Sequence, residues 1–405
     1  MPERTVHGVR QRFAASALNY RALRLGGGRL PRLAWGWMPW LGLDAFTAPD
    51  PPGPDWVRLR PILSGICGTD MALLTGKASA VMSPFASFPA VLGHEVLAEV
   101  VEGGATERVV LDPLLSCGLR GLDPPCGWCA DGRPGLCLRP TDGFLAPAPM
   151  IGFSRDLPGG WSEEMIAHRS QLHRVPDNLS DEQAVLVEPF SVALHGVLAR
   201  PPAASERVLV IGAGAMGLCT VAALRMVVPA VRIVVVGRHA HQRDLARRLG
   251  ADVVRSSALD AAVEEAGSRR YRPLVGRDVL VDGFDQVYDC AGTRSSLDDA
   301  IRTTRPSGRI AILGGPGEIG RLDWTLVWTR ELRIEGSYVY GREASLPGQP
   351  HTFDEAMRLM LEHAELPLGE LVTHQYPLEQ WRAAMAAALD RGASGALKVV
   401  FAPVR

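Results

Sequence analysis

Apolar residues in the second half of the chain form short continuous runs that are separated by helical patterns. The runs at 208–211 and 232–236 predict strands buried on both faces, as in a parallel sheet. A helix predicted at 218–228 connects them and ends at Pro229. The alternation continues with predicted helices at 242–249 and 297–304 and predicted strands at 252–254, 284–288 and 309–313. This pattern predicts a doubly wound parallel sheet with a surface insertion at 256–283.

The first half has a different pattern, in which apolar and polar residues alternate over short stretches. Residues 56–60 therefore predict a half-exposed strand, and the pattern at 91–110 is strand-like. Before them we predict a loose tail to about residue 18 and a strand at 20–25. The stretch at 33–46 contains Trp35, Trp37 and Trp40, and it is either an apolar lip over a substrate cleft or a packed surface hairpin.

A helical pattern at 180–198 has Ser180 as a predicted N-cap, and Pro189 should kink or break it beside Glu188. After the parallel sheet, the pattern at 331–339 predicts a strand that leaves this domain. The predicted elements that close the chain are helices at 352–362 and 378–389 and a strand at 396–401.

Composition narrows the class of protein. Hydrophobic residues make up 47% and charged residues 21% of the 405 positions, which is typical of globular domains. The net charge of −1 gives no basic excess for nucleic acid or anionic membranes, and we find no apolar run that could span a bilayer. The odd count of seven cysteines favours metal binding in a reducing compartment, so we expect a cytoplasmic protein.

Four of the cysteines are clustered in a segment rich in glycine, proline and aspartate. Cys117, Cys126, Cys129 and Cys137 are separated by eight, two and seven residues. Two cysteines around two residues, with two more close by, are typical of a closed tetrahedral zinc site. We therefore predict a structural zinc whose binding contributes free energy of folding.

A second set of possible zinc ligands is spread over the chain. Cys67 lies in the sequence GICGTD at 65–70, His94 and Glu95 lie in GHE at 93–95, and Glu188 lies in EPF at 188–190. Thiolate, imidazole and carboxylate are the ligands of a catalytic zinc that keeps one position open for substrate. These residues predict a second, catalytic zinc.

A glycine-rich turn follows the first strand of the parallel sheet. Gly212, Gly214 and Gly217, with Met216 between them, fit the dinucleotide-binding pattern that places a pyrophosphate at a helix N-terminus. An NAD-binding unit has an acidic residue about 20 positions after the last glycine, but this position is Gly237. The basic residues that follow favour NADP over NAD unless they are only solvated charges: Arg238, His239 and Arg243. We also assign Gly314, after a later strand, to the cofactor site.

These motifs together resemble the zinc-dependent medium-chain dehydrogenase/reductase family, and most closely its sorbitol, threonine and glucose dehydrogenase branch. The resemblance covers about residues 18–403. It implies a GroES-like catalytic domain at 1–195, with the four-cysteine lobe at 112–140, a Rossmann domain at 196–334 and a return to the catalytic domain at 335–405. It also implies a homodimer or homotetramer.

The resemblance assigns roles to individual residues. Cys67 and His94 match the usual ligands, Glu95 matches a carboxylate that binds zinc in only some members, and Glu188 matches a position typical of polyol and sugar enzymes. Thr69 matches the hydroxyl that relays the substrate proton, whereas Ala72 stands where many members continue the relay with histidine. The eight residues between Cys117 and Cys126 replace a usual two.

We therefore expect hydride transfer between NADP(H) and a small-molecule alcohol or ketone, with two zinc ions per chain. A polyol, sugar or amino-alcohol substrate is favoured by the resemblance alone. Two alternatives remain open. One is an imine or activated-alkene reductase with a spectator zinc, and the other is a nucleotide-binding protein without catalysis.

Overall fold

The computed structural model describes residues 4–12, 16–27, 40–101 and 107–403, and the chain forms two compact units. The first unit contains the chain up to Glu188, Phe353–Met357 and the chain from Gly369 onward. The second contains Pro189–Thr352 and Arg358–Leu368. The predicted domain limits at residues 195 and 334 stay a prediction.

The first unit begins with strands that are short and antiparallel. Its strands up to Glu188 are β1 (Thr5–Gln11), β2 (Leu41–Thr47), β3 (Trp56–Gly65), β4 (Ala90–Val91), β5 (Val96–Val100), β6 (Arg108–Leu111), β7 (Met165–His168) and β8 (Leu172–Arg174). Its helices are α1 (Ala17–Gly27), α2 (Gly68–Leu74), α3 (Gly127–Ala130) and α4 (Asp181–Ala184), and α5 (Val187–Leu198) begins at its end.

The next elements alternate between strand and helix, as the sequence predicts. The strands are β9 (Arg207–Ile211), β10 (Arg232–Val236), β11 (Val253–Arg255), β12 (Arg269–Tyr271), β13 (Val279–Val281), β14 (Phe284–Asp289), β15 (Thr304–Ile312) and β16 (Arg333–Gly336). The helices are α6 (Ala215–Val227), α7 (Ala240–Arg248), α8 (Ala258–Ala266), α9 (Arg294–Thr303), α10 (Thr325–Thr329) and α11 (Thr352–Glu362).

The chain ends in the first unit with β17 (Val372–Tyr376), α12 (Trp381–Leu389), α13 (Arg391–Ser394) and β18 (Lys398–Phe401). In that unit, seven strands form a sheet in the order β17-β18-β3-β5-β6-β8, with β7 paired to β3. A second sheet has the order β2-β1-β4. The C-terminal strand β18 therefore lies beside β3, although more than 300 residues separate them in the chain.

In the second unit, six parallel strands have the order β11-β10-β9-β14-β15-β16, which confirms the doubly wound sheet. Central positions such as Leu209, Val210 and Val235 are fully buried, because helices cover both faces of such a sheet. The prediction that 331–339 leaves this domain is wrong, since β16 pairs with β15 in parallel and forms the edge of the sheet.

Two predictions near the N-terminus are also wrong. Residues Thr5–Gln11 form β1 and pair with β2 over seven positions, so this part of the predicted tail is ordered in a sheet. Residues Ala17–Gly27 form a helix, where a strand was expected at 20–25. The segment is rich in Ala, Leu and Arg and has no β-branched residue, which favours a helix.

Several local predictions agree with the structure. Ser180 caps α4 and accepts a hydrogen bond from the Gln183 N–H at 3.2 Å. The helical pattern breaks just before Pro189, which lies in the first turn of α5 where its missing N–H costs little. The insertion at 256–283 contains α8 and the hairpin β12–β13.

The stretch at 33–46 is only partly described. Trp35 and Trp37 lie outside the described residues, whereas Leu41–Thr47 is the strand β2. Within the described part of the chain, no helix has both the length and the apolar character needed to cross a membrane.

Candidate functional site

Three of the predicted zinc ligands meet in the first unit. One ligand atom of each of Cys67, His94 and Glu95 lies within 4.8 Å of the others. Cys67 is the residue before α2, and the other two follow β4. His94 and Glu95 are buried, whereas Cys67 is partly exposed. The arrangement therefore has a buried side and an open side, as a catalytic metal site requires.

Asp70 holds two of these residues in place. One of its carboxylate oxygens accepts a hydrogen bond from the Cys67 N–H at 2.9 Å, and the other lies 3.5 Å from His94 Nδ1. Burial disfavours a charged imidazole, but the charge and hydrogen bonding of Asp70, followed by Cys67, raise the pKa of His94 well above its ordinary value. Asp70 and Cys67 thus favour a positive charge on the imidazole itself. The donor set of thiolate, imidazole and carboxylate fits a zinc ion.

Glycines in both motifs are needed because other groups approach closely. A Cβ at Gly65 would lie 1.8 Å from Glu95 Oε2. Gly93 has φ of +99°, and a Cβ there would lie 2.3 Å from Trp161 Cδ1. Trp161 Nε1 also donates a hydrogen bond to the Gly65 carbonyl at 3.0 Å. The two motifs are therefore packed on one another through Trp161.

Sequence reasoning missed the partner of Glu95, which is Lys398 in β18. The Lys398 ammonium lies 2.5 Å from Glu95 Oε1 and also contacts Oε2, and both side chains are buried. Burial opposes the ammonium charge, but Glu95, Cys67 and Glu188 raise the pKa of Lys398. A signal was present in the sequence, since the chain has only two lysines and this one lies in an apolar run.

The structure does not bring every predicted residue into the group of three. Among the described residues, Glu188 is outside this group of close ligand atoms, although it is buried in the first turn of α5. Its role as a ligand stays a prediction. Thr69 is exposed in the first turn of α2, two residues after Cys67, and its role in proton relay stays a prediction.

The four clustered cysteines also meet. Their ligand atoms lie within 4.8 Å of one another, and Cys117 belongs to the group despite the eight-residue interval after it: Cys117, Cys126, Cys129 and Cys137. Burial raises the pKa of Cys129, and burial with the neighbouring Cys117 raises the pKa of Cys137 to about 11. Burial acts in the same direction on Cys126, but backbone N–H donors lower its pKa to about 6. Thiols this crowded fit a tetrahedral zinc ion, because the metal replaces their protons.

The predicted cofactor glycines lie at the carboxyl end of the parallel sheet. Gly212 follows β9 with φ of +99°, and Gly214 is the N-cap of α6, ahead of Met216. A Cβ at Gly217 would lie 1.7 Å from the Gly212 carbonyl oxygen. Gly314 follows β15, and a Cβ there would lie 2.3 Å from the Gly292 nitrogen. The tight turn leaves the N-terminus of α6 available to an anion.

The basic residues after β10 differ in their surroundings. Arg243 donates hydrogen bonds to the carbonyl oxygens of Gly237 and Arg238 at 2.9 and 3.0 Å, so it braces the loop. His239 precedes α7 and stacks on His241, whereas Arg238 is exposed. A Cβ at Gly237 would lie 2.8 Å from Ala213 Cβ, so packing also favours glycine at this position. Arg238 is therefore the best placed of these residues to contact a phosphate.

Two family models match most of the chain between them. Residues 53–177 match the alcohol dehydrogenase GroES-like domain, and residues 215–362 match the zinc-binding dehydrogenase family. The chain is 32% identical to L-threonine 3-dehydrogenase from Streptomyces avermitilis over 87% of this chain and 94% of that protein. It is 29% identical to D-arabinitol dehydrogenase 1 from Uromyces fabae over 86% of this chain and 90% of that one.

Solved structures with low sequence identity have the same fold. A putative zinc-binding dehydrogenase from Sinorhizobium meliloti 1021 bound to NADP has a TM-score of 0.70 and 24% identity, covering 99% of this chain and 100% of that one. A short chain alcohol dehydrogenase from E. coli CFT073 complexed with NADH has a TM-score of 0.71 and 22% identity, covering 98% and 99%. The GroES-like and Rossmann architecture predicted from the sequence is confirmed.

Proposed function

Because the chain belongs to the zinc-dependent alcohol dehydrogenase family and is an oxidoreductase that uses zinc and NAD(P), we propose that it transfers a hydride between NADP(H) and a polyol, sugar or amino alcohol. The observation that carries the proposal is the group formed by Cys67, His94 and Glu95, which has one open side. Relatives named for threonine and for a sugar alcohol support this substrate class.

Each residue of the site has a distinct task in this proposal. Cys67, His94 and a carboxylate from Glu95 or Glu188 hold the metal. When bound, zinc acts as a Lewis acid that polarises the substrate oxygen and lowers the pKa of a substrate hydroxyl toward neutrality. Thr69 accepts a hydrogen bond from that hydroxyl and relays its proton by donating its own hydroxyl proton to water, because Ala72 has no side-chain group that could receive it. Asp70 orients His94 through the contact at 3.5 Å.

Glu95 forms an ion pair with Lys398. The carboxylate of Glu95 can therefore lie near the metal without binding it. The pair leaves Glu95 with a cationic partner in the buried pocket. A carboxylate whose charge is already neutralised by an ammonium group is a weaker ligand for zinc. We therefore assign Glu188 as the more important of the two carboxylates for turnover.

The proposed cofactor is NADP(H), held by the turn at Gly212, Gly214 and Gly217. Arg238 would pair with the 2′-phosphate by charge-assisted hydrogen bonds. The same basic residues could be solvated charges at a helix start, which would leave NAD(H) acceptable. The hydrogen bond from Arg243 to the Arg238 carbonyl supports NADP(H) binding, because it fixes the backbone that carries Arg238.

We propose a cytoplasmic homodimer or homotetramer that assembles through the cofactor-binding units. Strand β16 is an exposed edge of the parallel sheet, and edge strands readily pair with a second copy. Two large apolar side chains nearby in sequence are also exposed, Trp324 by 56% and Trp328 by 75%. All seven cysteines are free, in keeping with a reducing compartment.

A substrate panel tests the proposed function. Purified protein is incubated with NADPH and with carbonyl compounds derived from polyols, sugars and amino alcohols, and nicotinamide absorbance is followed. We expect turnover that a strong chelator abolishes and added zinc restores. Turnover of imines or activated alkenes alone would support an imine or activated-alkene reductase with a spectator zinc. Nucleotide binding without turnover of any compound would support the non-catalytic alternative.

A further inference from the structure

The eight residues between Cys117 and Cys126 in the four-cysteine lobe fold back onto Cys117. Residues 118–125 separate Cys117 from Cys126, and they begin with a short 3-10 helix, Gly118–Arg120. The Cys117 carbonyl accepts hydrogen bonds from the N–H groups of Arg120 at 3.0 Å and Leu122 at 2.9 Å. The Cys126 N–H then points to Cys117 Sγ at 3.4 Å. The insertion therefore lies against the metal site.

The side chain of Arg120 is completely buried within this insertion. Its Nη2 donates a hydrogen bond to the Ala148 carbonyl. Within the described part of the chain, its Nε and Nη1 are buried and have no hydrogen-bond partner. Gly143 covers the residue, since a Cβ at Gly143 would lie 2.8 Å from Arg120 Cβ. A buried guanidinium requires a compensating negative charge nearby.

Three of the four negative groups that act on the charge of Arg120 are cysteines of this lobe. Burial lowers the pKa of the Arg120 guanidinium, and the groups that raise it are, in decreasing order, Cys137, Cys117, Asp142 and Cys129. Thiols carry negative charge when they bind zinc, because metal binding releases their protons. Four thiolates then carry more negative charge than one divalent ion neutralises, and this excess lies in a partly buried lobe.

We propose that Arg120 is a positioning residue of the four-cysteine zinc site, where its buried guanidinium is the internal counter-ion of the metal–thiolate group. The proposal depends on zinc occupying this lobe, as assigned above, but not on the substrate or the nicotinamide cofactor. It gives the insertion between Cys117 and Cys126 a function, which is to bury a cation in the same lobe as the four cysteines. The guanidinium and the zinc site stabilise each other. Zinc should therefore bind less tightly when the Arg120 charge is removed, and burial of Arg120 should be less favourable when zinc is absent.

The test measures zinc retention in full-length protein that carries Cys67→Ser, so that the catalytic site loses a ligand and the lobe dominates the zinc signal. Zinc content is measured by elemental analysis, and release is followed with a chromophoric chelator. Arg120→Met keeps most of the volume but removes the charge, and Arg120→Lys keeps the charge. Arg133→Met is the matched control, since Arg133 is exposed in the same lobe.

We expect Arg120→Met to release zinc at least about tenfold faster than the parent, which corresponds to roughly 1.4 kcal/mol, because the lobe loses the buried positive charge that offsets its thiolates. Arg120→Lys should stay within about threefold of the parent, and Arg133→Met should not differ from it. Equal release by Arg120→Met and the parent would overturn the proposal. Equal acceleration by Arg120→Met and Arg120→Lys would also overturn it, because shape rather than charge would then matter.

A spectroscopic measurement covers the case in which Arg120→Met does not fold. Cobalt replaces zinc, and the charge-transfer absorption of a tetrathiolate site is recorded for the parent, Arg120→Lys and Arg120→Gln. The proposal requires Arg120→Lys to keep the band and its cobalt, and Arg120→Gln to lose cobalt faster; equal loss by both would refute it. A parent protein without metal in the lobe would overturn both the structural zinc and its counter-ion, which distinguishes that result from a failure of the counter-ion alone.

Discussion

The two groups of predicted metal ligands in the first unit are built in opposite ways. The four-cysteine group uses residues from one segment, Cys117 to Cys137, and its spacing can be read directly from the chain. The group at Cys67, His94 and Glu95 draws on distant segments, and its charged neighbour Lys398 is 303 residues from Glu95. A local group with one kind of ligand suits a closed structural site, whereas a mixed group assembled by the sheet suits an open catalytic one.

Exchanging one thiol in each group should give the largest contrast. Cys67→Ser should lower kcat/KM by about three orders of magnitude, since a Lewis acid supplies several kcal/mol, while the melting temperature changes little. Cys129→Ser should lower the melting temperature strongly, because the lobe loses metal-dependent folding free energy. Activity assays and thermal unfolding measure both. Full activity of the Cys67→Ser variant would show that Cys67 is not a ligand of the catalytic zinc.

The buried pair between Lys398 and Glu95 should matter more for stability than for metal content. Lys398→Met leaves Glu95 buried without its cation, which should cost about 3–5 kcal/mol of unfolding free energy. Denaturant unfolding measures the loss. The chain offers a matched control in its other lysine, Lys77, which is exposed, and Lys77→Met should be neutral. Similar stability of both variants would contradict the importance of the pair.

The two carboxylates provide a finer comparison inside the catalytic group. Glu188→Gln should reduce kcat by about a hundredfold, a barrier increase of roughly 2.7 kcal/mol, because it removes charge at or beside the metal without changing size. Glu95→Gln should reduce kcat less, since Lys398 already neutralises Glu95. Steady-state kinetics with saturating cofactor separates the two. Wild-type turnover in Glu188→Gln would exclude its proposed role.

The smallest predicted effect concerns cofactor choice. One charge-assisted hydrogen bond contributes roughly 1.5–3 kcal/mol, so the wild type should prefer NADPH at least about tenfold. Arg238→Ala should raise the KM for NADPH and leave the KM for NADH nearly unchanged, which makes NADH the internal control. Equal efficiency of the wild type with both cofactors would show that Arg238 is a solvated charge.

Features that depend on local spacing or periodicity could be predicted from the sequence. The apolar runs at 208–211 and 232–236 specified the parallel sheet, because strands covered on both faces cannot tolerate alternating polar residues. The glycines from Gly212 to Gly217 specified its first turn, and the cysteine spacing specified the lobe. The helix Ala17–Gly27 was missed because a short stretch with weak periodicity does not distinguish the two kinds of element.

Which distant groups meet at the candidate catalytic site depends on the tertiary fold. Strand β18 pairs with β3, and β3 pairs with β5, so Lys398 is brought to Glu95 just before β5 begins. The same packing requires a glycine at Gly65, beside the Glu95 carboxylate, and tertiary contacts elsewhere bury Arg120, three residues after Cys117. No local pattern encodes these contacts. They depend on strand order and on the free energy of burying charge, which are properties of the folded chain.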